Sequence, residues 1–149
     1  MTDEESTLKN DSVFEQIIRG EIPPGEGLVY EDSDTMAFLT IAPNNPGHTL
    51  VIPKKHSQNI FDTDEEILAA LMRVAKKIAI ALKESGLAQG VNIVINNGEI
   101  AEQVVFHIHI HVIPRLSTDI FHLKGWPTKA YEIDEASTVA EKIRKSLQG

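Results

Sequence analysis

Histidine occupies three alternate positions in the run Phe106-His107-Ile108-His109-Ile110-His111-Val112-Ile113-Pro114-Arg115. A strand has a side-chain period of two, so His107, His109 and His111 share one face while Ile108, Ile110 and Val112 share the other. One face suits a core and the other suits chemistry. Such a row has three readings. The first is a metal site, since imidazole is a common zinc ligand at about 2.0–2.1 Å. The outer rings, however, sit about 13 Å apart at ~3.3 Å rise per residue, beyond the reach of one ion unless the strand bends. Two neighbouring rings would need a third ligand from elsewhere. The second reading is structural, with half-buried rings making ordinary hydrogen bonds. The third is catalysis, because neutral imidazole is a nucleophile at physiological pH. In that reading His109, flanked on both sides, is the natural nucleophile, and its neighbours orient it and bind substrate.

The elements that would carry this row can be read along the chain. Ser12 caps a short helix over Val13 to Arg19 that stops at Gly20. Leu28–Glu31 and Thr35–Thr40 read as strands around an Asp32-Ser33-Asp34 turn, and His48–Pro53 reads as a third. Thr63-Asp64-Glu65-Glu66 has the form of a capping box, with Thr63 as N-cap. A long helix follows to about Glu84, its stripe formed by Ile67, Leu71, Val74, Ala75, Ile78 and Leu82. Val91–Asn96 is an apolar strand, Glu99–Gln103 a connection, and the histidine strand comes next. A final amphipathic helix spans about Asp134 to Leu147. Strands joined mostly by short turns, with one long helix inserted, predict an α+β domain: a largely antiparallel sheet with helices on one side.

Composition narrows the function. The chain has 149 residues, 42% of them apolar, enough for one domain with a sizeable core. Residues 1–11 are acidic and polar, read as a flexible tail without the features of a signal peptide, and 12–149 as a single domain. No apolar run approaches a membrane-spanning length. Cysteine is absent, which excludes disulfides and thiolate metal sites and makes a reducing cytoplasm the default. The net charge of −8 argues against bulk nucleic-acid binding. A small phosphorylated ligand in a local pocket stays open.

The run His107-Ile108-His109-Ile110-His111-Val112 resembles the signature of the histidine triad (HIT) superfamily. The resemblance extends to Ile17-Ile18-Arg19-Gly20-Glu21-Ile22-Pro23, to Ala37-Phe38-Leu39, to Pro46-Gly47-His48 through Lys54-Lys55-His56, and to Asn96-Asn97-Gly98 through Gln103-Val104-Val105-Phe106. It implies a HIT-like α+β fold with a five-stranded antiparallel sheet, a long helix and a C-terminal helix. It further implies a homodimer whose sheets join edge to edge, and an enzyme that cleaves nucleotides at the α-phosphorus without a cofactor. By position, His109 would attack phosphorus and form a nucleotidyl-histidine intermediate. His107 would orient His109 through its ring nitrogen, His111 would contact phosphate oxygens, and His48 would complete the imidazole cluster. Gln103 would place the bridging or leaving atom, and Asn96 would contact ribose-phosphate. Val13, Phe14, Ile17, Ile22 and Phe38 would wall the base pocket, although each could equally be core. Gln103 could be a loop cap, His48 a satisfied surface histidine, and His56 and His122 carry no functional role in this reading.

Two departures from the family pattern matter. Many members carry Cys-x-x-Cys before the first helix as half of a structural zinc site. Ser12 and Glu15 stand there, so no metal is expected. Where the family usually has Asp or Asn for the ribose hydroxyls, this chain has Thr40, a weaker partner than a carboxylate. The substrate expected is a small nucleotide: a nucleoside phosphoramidate, an aminoacyl-adenylate or a dinucleoside polyphosphate. The rival class is a purine-nucleotide sensor or partner-docking module with little turnover.

Overall fold

The computed structural model describes residues 12–21, 27–119 and 128–149. The acidic tail, Ile22, His122 and Trp126 lie outside the described residues. Helix α1 spans Val13–Ile18, and its Ser12 cap accepts a hydrogen bond from the Glu15 amide at 3.2 Å. Strands β1 (Leu28–Glu31) and β2 (Thr35–Leu39) meet at a turn held by Asp32 Oδ1, which accepts from the amides of Asp34 and Thr35. Then come β3 (Thr49–Pro53), α2 (Glu65–Glu84), β4 (Gly90–Val94), a 3₁₀ turn (Glu99–Ala101), β5 (Ile110–Arg115) and α3 (Glu135–Gln148). The five strands form one antiparallel sheet in the order β1-β2-β3-β5-β4. Among the described residues no helix is long and apolar enough to cross a membrane.

Strand alternation sorts the side chains into two layers. Ala37, Leu39, Val51, Ile108, Ile110 and Val112 face α2 and α3 and join Leu71, Val74, Ile78 and Leu82 in the main core. Met36, Phe38, Leu50 and Ile52 face the other way and pack on Phe14 and Ile17 of α1. The expectation of helices on one side therefore holds for the two long helices, while short α1 covers the opposite face. His111 pairs with Leu50 across β3–β5, which places the histidine side on the α1 face.

The structure departs from the sequence reading at two further places. The ladder of β5 begins at Ile110, so His107 and His109 precede the strand. Continuing the Val51↔Ile110 register would set Pro53 against Ile108, and proline has no N–H to give the ladder. The Ile108 amide bonds instead to the Ser57 carbonyl at 2.9 Å. The predicted capping box also fails to form. Asp64 is the N-cap of α2 and makes no side-chain cap bond. The Thr63 hydroxyl is committed to the Asn59 carbonyl (2.6 Å) and the Ser57 hydroxyl (2.7 Å), so loop closure wins over capping.

Candidate active site

The three histidines have different partners, and those partners set which nitrogen carries the proton. His107 is fully buried, with Nε2 donating to the Pro53 carbonyl at 2.7 Å. His109 Nδ1 donates to the backbone carbonyl of His107 at 2.7 Å. A carbonyl only accepts, so the neutral ring keeps its lone pair on Nε2. His107 thus aims His109 through its main chain, not through the ring nitrogen expected from the sequence. His111 Nδ1 lies 2.9 Å from His48 Nε2, and the Asn44 amide points at His48 Nδ1 at 3.4 Å. An amide only donates, so neutral His48 carries its proton on Nε2, gives it to His111 Nδ1, and leaves His111 with an Nε2–H. The rings of His109 and His111 are 5.0 Å apart. Side by side they offer a nucleophilic lone pair and a hydrogen-bond donor.

Electrostatics keep these rings uncharged. Burial is the main cause for each, because removing water penalises the imidazolium. It lowers His109 below the ordinary histidine range, and with the neighbouring rings holds His48 at about 4 and His111 at about 3.

A cleft of about 550 Å³ opens in front of His109 and His111. Val13 and Phe14 of α1 line it, as do Thr40 and Asn96, and the Phe14 ring stands edge-on to His109 at 5.1 Å. Ile17 and Phe38 pack behind this wall in the second core cluster. His48 and His107 are buried beneath the cleft, where they hold the rings that face it. Gln103 does not line it. Its amide accepts from Gly98 N–H and donates to the carbonyls of Gln58 and Val105, which ties the turn before the triad together. A second cleft of about 540 Å³, around Lys54, Lys55 and Glu66, contains none of the histidines.

Residues 20–118 match the family model described as the HIT domain. The chain belongs to the histidine triad family. It is 43% identical over 123 residues to an uncharacterized HIT-like protein of Methanocaldococcus jannaschii, covering 83% of this chain and 93% of that one. It is 34% identical over 144 residues to an adenosine 5'-monophosphoramidase of Saccharomyces cerevisiae, covering 97% and 87%. Among solved structures it resembles a Zn-bound histidine triad protein from Mycobacterium smegmatis, with TM-score 0.81, 38% identity and coverage of 94% and 95%.

Sequence reading missed one cluster of this HIT domain. Glu15 Oε1 lies 2.8 Å from His107 Nδ1 and 3.3 Å from His56 Nδ1, and the two nitrogens are 3.3 Å apart. Glu15 Oε1 is buried and receives no aligned hydrogen bond. With His107 Nε2–H committed to Pro53, the neutral ring turns a lone pair toward this carboxylate. The three atoms lie close enough together to hold a divalent cation by two imidazoles and a carboxylate. An ion there would clamp α1 to the triad segment. Glu15 stands at the family's zinc position, but the absence of thiolates led to an expectation of no metal, and spacing could not join it to donors from the loop after β3 and the segment before β5. The other lining residues missed are Ile41, Ala42, Leu50, Glu102, Val104 and Val105, which surround the rings only once the chain has folded.

Proposed function

We propose that this protein hydrolyses or transfers nucleotides at the α-phosphorus through a nucleotidyl-histidine intermediate. The observation that carries the reading is the His109 ring: Nδ1 is pinned to the His107 carbonyl and the cleft lies in front of the ring. Nε2 attacks phosphorus, the N–P bond forms, and the phosphorus–leaving-group bond breaks with its electron pair on the leaving group. Water then opens the intermediate, releases the nucleoside monophosphate and restores the ring. Splitting one displacement into two suits imidazole, which is nucleophilic when neutral and a good leaving group when phosphorylated. In this reading the His111 Nε2–H holds a phosphate oxygen as charge develops. The α1 end of the cleft, with Val13, Phe14 and Thr40, accepts the nucleoside, and Asn96 the ribose-phosphate. The activity named for the yeast relative, adenosine 5'-monophosphoramidase, supports this class of chemistry. Dimerisation through a sheet edge belongs to the same reading, since β4 is an edge strand carrying a partly exposed Ile93.

Intact-protein mass spectrometry with a slow adenylate analogue tests the proposal. A mass increase of one adenylyl group on His109, absent in His109→Ala, is the expected result. Full turnover by His109→Ala would overturn it, and nucleotide binding without turnover in the wild type would favour the sensor.

A further inference from the structure

Among the described residues, Glu102 is the one charged side chain lining the cleft, and no lysine or arginine lines it. The residue also sits at an unfavourable backbone position, with φ 70 and ψ 24, in the left-handed region that non-glycine residues seldom occupy. The 3₁₀ turn Glu99–Ala101 and the Gln103 amide bonded to Gly98 N–H force that conformation. A glycine would relieve the strain, yet a carboxylate stands there.

Its place relative to the reaction follows from in-line geometry. The leaving group departs opposite the attacking Nε2, away from the buried rings and toward the cleft mouth. The 98–105 turn contributes Glu102 and Val104 to the same cleft, and both are exposed at its mouth. Val104 and Ile41 are 84% and 91% exposed and make the mouth apolar. An apolar rim with a single carboxylate complements an organic cation and repels a phosphate chain.

We infer that Glu102 is a specificity-determining residue that selects substrates whose leaving group carries an ammonium on an aliphatic frame, over substrates whose leaving group is a polyphosphate. This inference rests on the nucleotidyl-transfer reading, and it divides the substrates which that reading leaves together. An aminoacyl or aminoalkyl group joined to the α-phosphorus fits, and a dinucleoside polyphosphate does not.

Three adenosine 5'-phosphoramidates test it, identical except for a terminal ammonium, methyl or carboxylate on the leaving alkylamine. In the wild type kcat/KM should fall in that order, by about tenfold for each unit of charge at low salt. The spread should shrink as ionic strength rises. In Glu102→Gln the ratio between the cationic and anionic substrates should collapse to within about threefold. In Glu102→Gly it should collapse likewise, while the melting temperature rises because the left-handed conformation is no longer strained. An unchanged ratio in both variants, or a wild-type preference for the anion, overturns the assignment. The same ratios read as Kd in the His109→Ala background do not depend on turnover. Charge selectivity there with no hydrolysis by the wild type would sink the nucleotidyl-transfer reading and leave the role of Glu102 standing.

Discussion

Acid should destabilise this protein through His48, and the amount follows from its surroundings. His48 is 2% exposed, packed between the Asn44 amide and the His111 ring, and burial holds it at about 4 against an ordinary 6.5. The folded state therefore binds fewer protons than the unfolded chain between about pH 4 and 6.5. Stability rises with pH where the unfolded state binds more protons. It is complete above about 6.5 and is lost as pH falls toward 4. Each pH unit in that window removes about 1.4 kcal/mol for one such group. Between pH 7.5 and pH 5 His48 alone should remove on the order of 2 kcal/mol. Urea unfolding of the wild type and His48→Gln at both pH values measures it. Glutamine retains an N–H donor toward His111 but does not titrate. The variant should be less stable at pH 7.5, through poorer packing, yet lose about 2 kcal/mol less on acidification. Equal losses in the two proteins would show that His48 is not buried as a neutral base, and the tautomer chain through His111 to the cleft would fall with it.

Three other perturbations have definite outcomes. Gly47 has φ +99, and a Cβ there would lie 2.7 Å from Leu82 Cδ2, so Gly47→Ala should cost about 1–3 kcal/mol of stability by denaturant titration. A neutral result would mean that the turn ahead of His48 relaxes freely. Thr40→Asp should tighten adenosine-monophosphate binding by about 1 kcal/mol, roughly fivefold in Kd by calorimetry, because a charged acceptor replaces a hydroxyl; weaker binding would mean that Thr40 is not at the ribose. Added zinc should raise the melting temperature of the wild type and leave Glu15→Ala unmoved, since that variant lacks one of three donors. An equal rise in both would remove Glu15 from the cluster.

Period-two spacing was enough to read the two faces of the triad segment. Ile108, Ile110 and Val112 enter the helix-side core, and the histidines take the other face. Strand β1 and the end of α2 also lie where their residue patterns place them, because apolar periodicity acts locally. What spacing cannot show is the partner that each ring finds. Glu15 and His56 stand 92 and 51 positions before His107 (107 − 15 and 107 − 56), and only the packing of α1 on the sheet and the course of the loop after β3 bring them to the same ring. Gln103 has the right residue type for a substrate contact, yet its amide closes a turn, a choice that depends on where Gly98 and Gln58 lie. Thr63 shows the same limit, since two local partners competed for one hydroxyl.

The distinction between the rings is itself tertiary. In sequence the three histidines are equivalent, each flanked by apolar residues. In the fold the first meets a proline carbonyl and a carboxylate, the second a backbone carbonyl, and the third another imidazole. Each partner fixes a different proton, and so a different capability. A row of identical side chains thus becomes three unlike rings where the β3–β5 ladder stops at Val51↔Ile110. If β3 ran on past that point and paired with Ile108, the Pro53 carbonyl would face a ladder amide and be lost to the His107 ring. The proline that ends the strand therefore shapes the segment on which two of the three rings sit.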